Sequence, residues 1–348
     1  MTSPPTPPRV GLYGLGSIGG AVARSLLATD GARIAVAIDT DPAKVGRDLR
    51  SVLKLKGDSG ILVRDDAAAA LRETAPDVVI HSTGSRLSEV APQLETILGA
   101  GVPCVTSCEE MAFPAATDAG IAQRLDRLAR EKDVAILGAG VNPGFAMDAL
   151  VLALSAATRC VSHVRVERVL DPMSRRAVFR RKVGIGLTYE QASRLVEQGR
   201  MGHVGLKQSA MLIAHGLGWD VSGCSEELRI LCEGDDPARR PRRPARAAAR
   251  VVGLQQSLIV RNGRKERIRM EMLMAAGVEA AHDAITITGE PDLNLWIQGG
   301  IPGDEATVAC LLNAATQVLS PPRPGLLTVL DLPLRPPIWG AVPDRLHS

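Results

Sequence analysis

From residue 9 onward the chain alternates short apolar runs with longer stretches in which apolar positions recur every three or four residues. That rhythm is the βαβ repeat of a parallel sheet: a strand covered on both faces reads as a continuous apolar run, and each crossover helix buries one stripe. The pattern predicts strands over 10–13, 33–38, 60–63, 77–81, 103–106 and 134–137, with helices between them over 17–29, 67–74, 85–99 and 117–131. Six strands with intervening helices make one doubly wound domain of ordinary size.

Past VNPGFAMDAL, residues 141–150, the rhythm changes. A helix is predicted over 146–157, and VSHVRVERVL at 161–170 alternates as a strand with one covered face does. Helices follow over 188–198 and 205–215. Two strand-like runs then flank Asn262-Gly263, a dipeptide that favours the type I′ hairpin, and further strands are expected over 284–288 and 293–297. A helix over 304–319 ends at SPPRPGLL, which cannot continue it, and TVLDLPLRPP is expected to pack back across the first domain. The predicted architecture is α/β: a doubly wound parallel sheet over 9–145, an α+β, mostly antiparallel domain over 146–305, and a C-terminal helix and tail over 306–340.

A length of 348 residues supports this division into two domains, and 45% hydrophobic with 23% charged residues excludes wholesale disorder. Aromatics are only 2%, so the core must be built from Ala, Val, Leu and Ile. The net charge of +3 is spread along the chain except for ARRPRRPARAAAR at 238–250. That run has prolines and no interleaved aromatics, so a solvated loop is expected there rather than a nucleic-acid surface. Six cysteines without CxxC spacing read as reduced thiols of a cytoplasmic protein. MTSPPTPPR lacks the apolar core of a signal peptide, and no run of 18 apolar residues marks a membrane span.

The chemistry begins with RVGLYGLGSIGG, where Gly14, Gly16 and Gly19 stand between a strand and a helix. In a dinucleotide cradle the first glycine makes the turn, the second admits a pyrophosphate to the backbone, and the third lets helix and sheet approach. The amides of Ser17, Ile18 and Gly19 would then face the phosphates at the positive end of the helix. Asp39, 20 residues after Gly19, suits the ribose hydroxyls of NAD, or else caps the turn before Asp41-Pro42. Lys44 and Arg47 just beyond suit a 2′-phosphate, so NAD and NADP both stand. Ser82, Thr83 and Gly84 in HSTGSR form a small-residue loop beside the nicotinamide ribose, or an ordinary loop in which Ser85 caps the next helix.

Three further stretches carry candidate polar groups. TSCEEMAFP holds adjacent Glu109 and Glu110, of which at most one can face a pocket and bind an ammonium or shuttle protons; a solvated pair near a helix start is the alternative. GAGVNPGFAMD holds Asn142, whose amide suits a cofactor carboxamide or a substrate, and Phe145, which suits a pocket wall; a plain hinge is the alternative. GRMGHVGLKQS holds His203 before a helix; taken alone it reads, like His81, His163, His215 and His282, as a structural histidine. No HxxxH, HExxH or Cys-His pairing predicts a metal.

With these motifs assembled, the chain resembles the 2,4-diaminopentanoate dehydrogenases and related native amine dehydrogenases, which are distant relatives of dihydrodipicolinate reductase. The resemblance covers nearly the whole chain, through GLYGLGSIGG, VAIDTDPAKVGRDL, HSTGS, TSCEEMAFP, GVNPGFAMD, GHVGLKQS, GGIPGDEATVA and PGLLTVLDLP. It implies a Rossmann domain joined to a substrate and dimerisation domain, a homodimer, and reversible NAD(P)-dependent oxidative deamination of a primary amine or diamino acid to a carbonyl compound and ammonia. It also implies Glu109, in preference to Glu110, as acid/base, with Asn142, Phe145, His203 and Thr307 lining the substrate cavity. No nucleic acid, membrane or metal is expected. The His-His pair and lysine of dihydrodipicolinate reductases are absent. A reductase of a cyclic imine or unsaturated dicarboxylate remains an alternative, with Arg168, Arg175 and Lys182 as its cations; a non-catalytic NAD-binding sensor or scaffold is another.

Overall fold

A computed structural model of the chain describes residues 7–174, 180, 183–236, 246–278 and 280–333. In chain order the first elements are β1 (Arg9–Tyr13), α1 (Ser17–Leu27), β2 (Arg33–Ile38), α2 (Leu49–Val52), β3 (Val63–Arg64), α3 (Ala67–Thr74), β4 (Val78–His81), α4 (Leu87–Gly99), β5 (Cys104–Thr106), α5 (Ala119–Glu131) and β6 (Ala135–Gly138). There follow α6 (Ala149–Ser155), β7 (Arg159–Leu170), α7 (Tyr189–Glu197), α8 (Leu206–Gly216), β8 (Gly223–Cys232), β9 (Val251–Asn262), β10 (Lys265–Ala275), β11 (His282–Glu290) and β12 (Leu293–Gln298). The chain ends on α9 (Gly303–Val318) and β13 (Gly325–Leu327). It divides into two compact units, Met1–Phe145 with Gly303–Ser348, and Ala146–Pro302.

The first unit is built on a seven-stranded sheet in the order β13-β6-β5-β4-β1-β2-β3, and every neighbouring pair is parallel. Helices supply an apolar cover on each face. Val22 and Leu26 of α1 and Leu311, Ala315 and Val318 of α9 pack with Leu12, Ile80 and Leu137 in one cluster. Leu71 of α3, Leu94 and Ile97 of α4 and Leu125 of α5 pack with Ile38, Val79 and Ile136 in the other. Burial on both faces is why these strands read as unbroken apolar runs. The strand order reverses between β1 and β4, and doubly wound sheets bind ligands at the carboxyl ends of such a reversal. β13 joins the edge beside β6, so the PGLL segment is a strand of this sheet.

The second unit holds a six-stranded sheet, β12-β11-β7-β10-β9-β8. Its pairs are antiparallel except β7 with β10. Val164, Val166 and Arg168 of β7 are buried while Arg165 between them is exposed, the period-two pattern of a sheet with one covered face. Met270, Met272 and Met274 of β10 and Leu254 and Leu258 of β9 continue that buried face. α8 packs on β9 and β10, burying Leu206, Ala210, Leu212 and Ile213.

Several local details differ from expectation for identifiable reasons. The strand predicted over 60–63 shrinks to Val63–Arg64 because the segment before it bonds back to the preceding loop, with Leu49 N donating to Ile61 O at 2.8 Å and Val63 N to Arg47 O at 2.9 Å. The helix predicted over 146–157 starts at Ala149, where Asp148 caps it by accepting from Ala149 N at 2.6 Å. At the β9–β10 hairpin Asn262 still pairs with Lys265, which leaves Gly263 and Arg264 as the loop. A type I′ turn needs positive φ at both central residues. Gly263 has φ +57° and Arg264 is not among the positive-φ residues, so the turn is not type I′. Of the arginine-rich run, 238–245 lie outside the described residues, and Arg250 Nη1 donates to Gly186 O at 3.0 Å. Among the described residues no helix is long and apolar enough to cross a membrane.

Candidate active site

The three cradle glycines are required for different reasons. Gly14 adopts φ +95°, and a Cβ there would sit 2.5 Å from Ser82 O. A Cβ on Gly19 would collide with the Gly14 carbonyl. Both are therefore demanded by the protein itself, one by conformation and close approach and one by packing. Gly16 is not: its φ is −73°, and a Cβ would meet nothing within 4 Å. Space over Gly16 is the feature a pyrophosphate uses. Gly16 is also the N-cap of α1 and offers no side-chain cap, so the first-turn amides of Ser17, Ile18 and Gly19 lack intrahelical acceptors and suit an anion.

Asp39 closes the far side of the cradle. Its Oδ2 accepts from Leu15 N at 2.7 Å and Lys44 Nζ at 2.9 Å, and its Oδ1 accepts from Asp41 N at 2.9 Å. Burial opposes its charge, but the bonds from Lys44, Asp41 and Leu15 outweigh burial and hold the carboxyl below its ordinary range. Asp39 thus caps the turn and remains ionised at the end of β2. Lys44 also lies 3.5 Å from Asp41 Oδ2, and Arg47 donates to Ala43 O and Ser51 Oγ, each at 3.0 Å.

The loop after β4 is tied to the cradle, since Ser82 N donates to Tyr13 O at 2.7 Å and Ser82 Oγ to Gly14 O at 3.1 Å. Ser85 does not cap α4. That helix begins at Leu87 with Arg86 as N-cap and no side-chain cap from it. Instead Glu110 Oε2 accepts from Leu87 N at 2.6 Å, with Arg86 Nη1 4.0 Å from Oε1. A carboxylate at a helix N-terminus is favoured by both the free amide and the dipole. The two adjacent glutamates are therefore distinguished: Glu110 holds α4, and half-buried Glu109 begins the 3-10 turn over Glu109–Ala112 at the carboxyl edge of the sheet. Gly138 lets this turn sit against β6, because a Cβ there would collide with the Met111 carbonyl group.

The segment after β6 folds tightly on itself. Gly144 has φ +121°, and a Cβ there would lie 2.7 Å from Gly140 N. Within it, the side-chain oxygen and nitrogen of Asn142 are both buried and have no hydrogen-bond partner. A buried amide without partners is costly, and a ligand carboxamide or amine would satisfy it. Thr307 of α9 reaches the same segment, accepting from Val141 N at 3.4 Å while its hydroxyl donates to Gly303 O at 2.7 Å. Its hydrogen is thus spent within the helix, and Thr307 supports the Asn142 loop. Phe145 is half-buried at the end of this segment.

The structure brings Gly14–Gly19, Asp39, the 82–84 loop, Glu109, Asn142, Phe145 and Thr307 into the first unit, and His203 into the second. His203 is half-buried just before α8. Gln256 of β9 grips its backbone: Oε1 accepts from His203 N and Nε2 donates to His203 O, both at 2.9 Å. Arg168, one of the cations considered for a substrate carboxylate, is fully buried and paired with Asp283, with Nη1 2.8 Å from Oδ1 and 2.9 Å from Oδ2. Its Nη2 donates to Ile301 O at 2.6 Å, and Ile301 N donates to Asp283 Oδ2 at 2.7 Å. Arg168 is therefore an internal brace of the GGIPG segment. Arg175 and Lys182 lie outside the described residues. The capping role of Glu110, the clearance at Gly138 and the Gln256 clamp were all missed in the sequence, because each joins positions that no periodicity links.

The family model described as the 2,4-diaminopentanoate dehydrogenase C-terminal domain matches residues 145–348. The chain is 29% identical over 352 residues to the 2,4-diaminopentanoate dehydrogenase of Acetoanaerobium sticklandii, spanning 98% of this chain and 97% of that protein. The solved amine dehydrogenase of Mycobacterium smegmatis is 26% identical with a TM-score of 0.80, covering 94% of this chain and 96% of its own. The dihydrodipicolinate reductase of Paenisporosarcina sp. TG-14 shares the fold, with 15% identity, a TM-score of 0.53 and coverage of 93% and 98%.

Proposed function

The chain belongs to the 2,4-diaminopentanoate dehydrogenase C-terminal domain family, and from that premise we propose that it catalyses NAD(P)-dependent oxidative deamination of a primary amine or a 2,4-diaminopentanoate-like diamino acid. It is an oxidoreductase acting on CH–NH2 donors. The products are the carbonyl compound and ammonia, and the reverse reaction is a reductive amination.

Gly14, Gly16, Gly19, the amides of Ser17 and Ile18, Asp39 and the 82–84 loop would hold the dinucleotide. The open space over Gly16 and the unpartnered Asn142 amide both fit that assignment. A bound nicotinamide supplies the hydride acceptor. Glu109 takes the proton of the water that attacks the iminium carbon of the substrate, then returns a proton to the departing nitrogen. Asn142 and Phe145 orient the substrate, and holding the two reactants in line supplies much of the acceleration.

The observation that carries this reading is the division between the two glutamates. Glu110 is committed to Leu87 N at 2.6 Å, which supports Glu109 as the group that carries the proton chemistry. Amine oxidation screened over 2,4-diaminopentanoate, alkylamines and a cyclic imine, with NAD and NADP in parallel, tests the reading. Glu109→Gln is expected to lower turnover by about two to four orders of magnitude while NADH binding stays near wild type. Wild-type turnover in Glu109→Gln, or activity on the cyclic imine alone, would overturn it.

A homodimer through the solvent face of the six-stranded sheet accompanies this proposal. That face interleaves Arg165 with Glu167 and Glu271 at 2.9 and 2.7 Å, and carries Trp296, which is 59% exposed. Alternating charges around an exposed aromatic suit a self-complementary contact. Light scattering should give a dimer for the wild type and a shift toward monomer for Trp296→Lys.

A further inference from the structure

His81 ends β4 fully buried, and its ring meets Tyr13 edge-on with centroids 5.4 Å apart. Both ring nitrogens are engaged, and the bonds have a direction. Gln93 Oε1 can only accept, so His81 carries a proton on Nε2 and donates it over 2.7 Å. In the neutral ring Nδ1 then accepts from the Thr106 hydroxyl at 2.8 Å, and that hydroxyl in turn accepts from Cys108 N at 3.1 Å. The Thr83 hydroxyl donates to the same Gln93 oxygen at 2.5 Å and lies 2.9 Å from Nε2. Burial pushes the His81 pKa down to about 4, so this neutral form is the one present at neutral pH.

One imidazole thereby joins two loops that the sequence keeps far apart. On one side is Thr83, in the loop assigned to the dinucleotide; on the other are Thr106 and Cys108, which lead directly into Glu109. We propose that His81 is a positioning residue that locks the dinucleotide loop and the Glu109 turn into a single register, so that cofactor affinity and acid/base placement change together. A plain core histidine would need neither its Thr83–Gln93 branch nor the directional link to Cys108. Hydrogen bonds chained in a low-dielectric interior reinforce one another, and small misplacements of reacting groups carry large rate penalties. The inference rests on the site reading above, which places the dinucleotide at residues 82–84 and the acid/base at Glu109.

The decisive variant is Thr106→Val, which keeps the side-chain shape and removes the hydroxyl that links Cys108 to His81. Thr106 is on β5 and is assigned no contact with cofactor or substrate. NADH fluorescence titration is expected to show at least a fivefold weaker dissociation constant, with Thr106→Ser restoring wild-type affinity. In amine oxidation the same valine variant should lose about tenfold in kcat. Should it fail to fold, Gln93→Leu, at a partly exposed position of α4, cuts the other branch and should weaken NADH binding likewise. Combining the two substitutions should weaken binding no further than the stronger single one, because both sever one chain. A lower melting temperature with NADH affinity within twofold of wild type would overturn the proposal. The NADH readout needs no amine, so a wild type that binds NADH but oxidises no amine sinks the proposed function alone. A wild type that binds neither NADH nor NADPH sinks both.

Discussion

In the seven-stranded sheet all strands run the same way, and the polar groups of the site stand outside the layer, in loops at its carboxyl edge. In the six-stranded sheet strand directions mostly alternate, and polar groups enter the layer itself: Arg168, Asp283 and Gln256 are 1, 3 and 3% exposed on its covered side. The difference follows from topology. Parallel strands deliver their carboxyl ends to one edge, so loops far apart in sequence converge without any charge being buried. Mostly antiparallel strands scatter their ends, so bracing GGIPG and His203 requires donors and acceptors inside the sheet. One unit thus keeps its buried polar side chains, His81 and Thr106, at the carboxyl ends of their strands beside a polar rim, and the other keeps an interior polar frame.

Replacing Arg168 by Met breaks that contrast most severely. It leaves Asp283 charged and buried without its partner, a change expected to cost about 3–5 kcal/mol. Urea unfolding should show this loss, and the double change Arg168→Met with Asp283→Leu should recover much of it. A loss below about 1 kcal/mol would mean that the frame is not structural.

A pH series sharpens the comparison from the other side. His81 has a folded pKa of about 4 against an ordinary 6.5, so the unfolded chain takes up a proton that the folded chain rejects. Its contribution is complete above about pH 6.5 and is lost as pH falls toward 4, at up to about 1.4 kcal/mol per pH unit. His81→Gln should flatten this part of the profile in unfolding experiments at pH 7.5, 6.5 and 5.5.

The smallest stability effect belongs to Gly16→Ala, where open space and ordinary φ predict a change within about 0.5 kcal/mol. The same variant should weaken NADH binding clearly. Gly19→Ala, which collides with the Gly14 carbonyl, should instead destabilise the fold, and equal stability effects at 16 and 19 would remove the argument that Gly16 is kept for a ligand.

The parallel unit was the more legible of the two. Unbroken apolar runs located β1, β2, β4, β5 and β6 to within a residue or two, because burial on both faces leaves a strong local signal. Glycine spacing likewise marked the cradle. Local patterning could not separate Glu109 from Glu110, since the distinction depends on Leu87 N, 23 residues away in the chain. Nor could it show that Arg168 is braced by Asp283 across 115 residues, which turned an expected ligand-binding cation into an interior brace. Hydrophobic periodicity records which side of an element is covered; it carries no record of which distant polar group completes a hydrogen bond.

The side-by-side glutamates have a consequence for how this enzyme could diversify. Because Glu110 fastens the start of α4, the anchoring of that loop does not depend on the residue next to it. A substitution at position 109 therefore leaves the bond between Glu110 and Leu87 N in place.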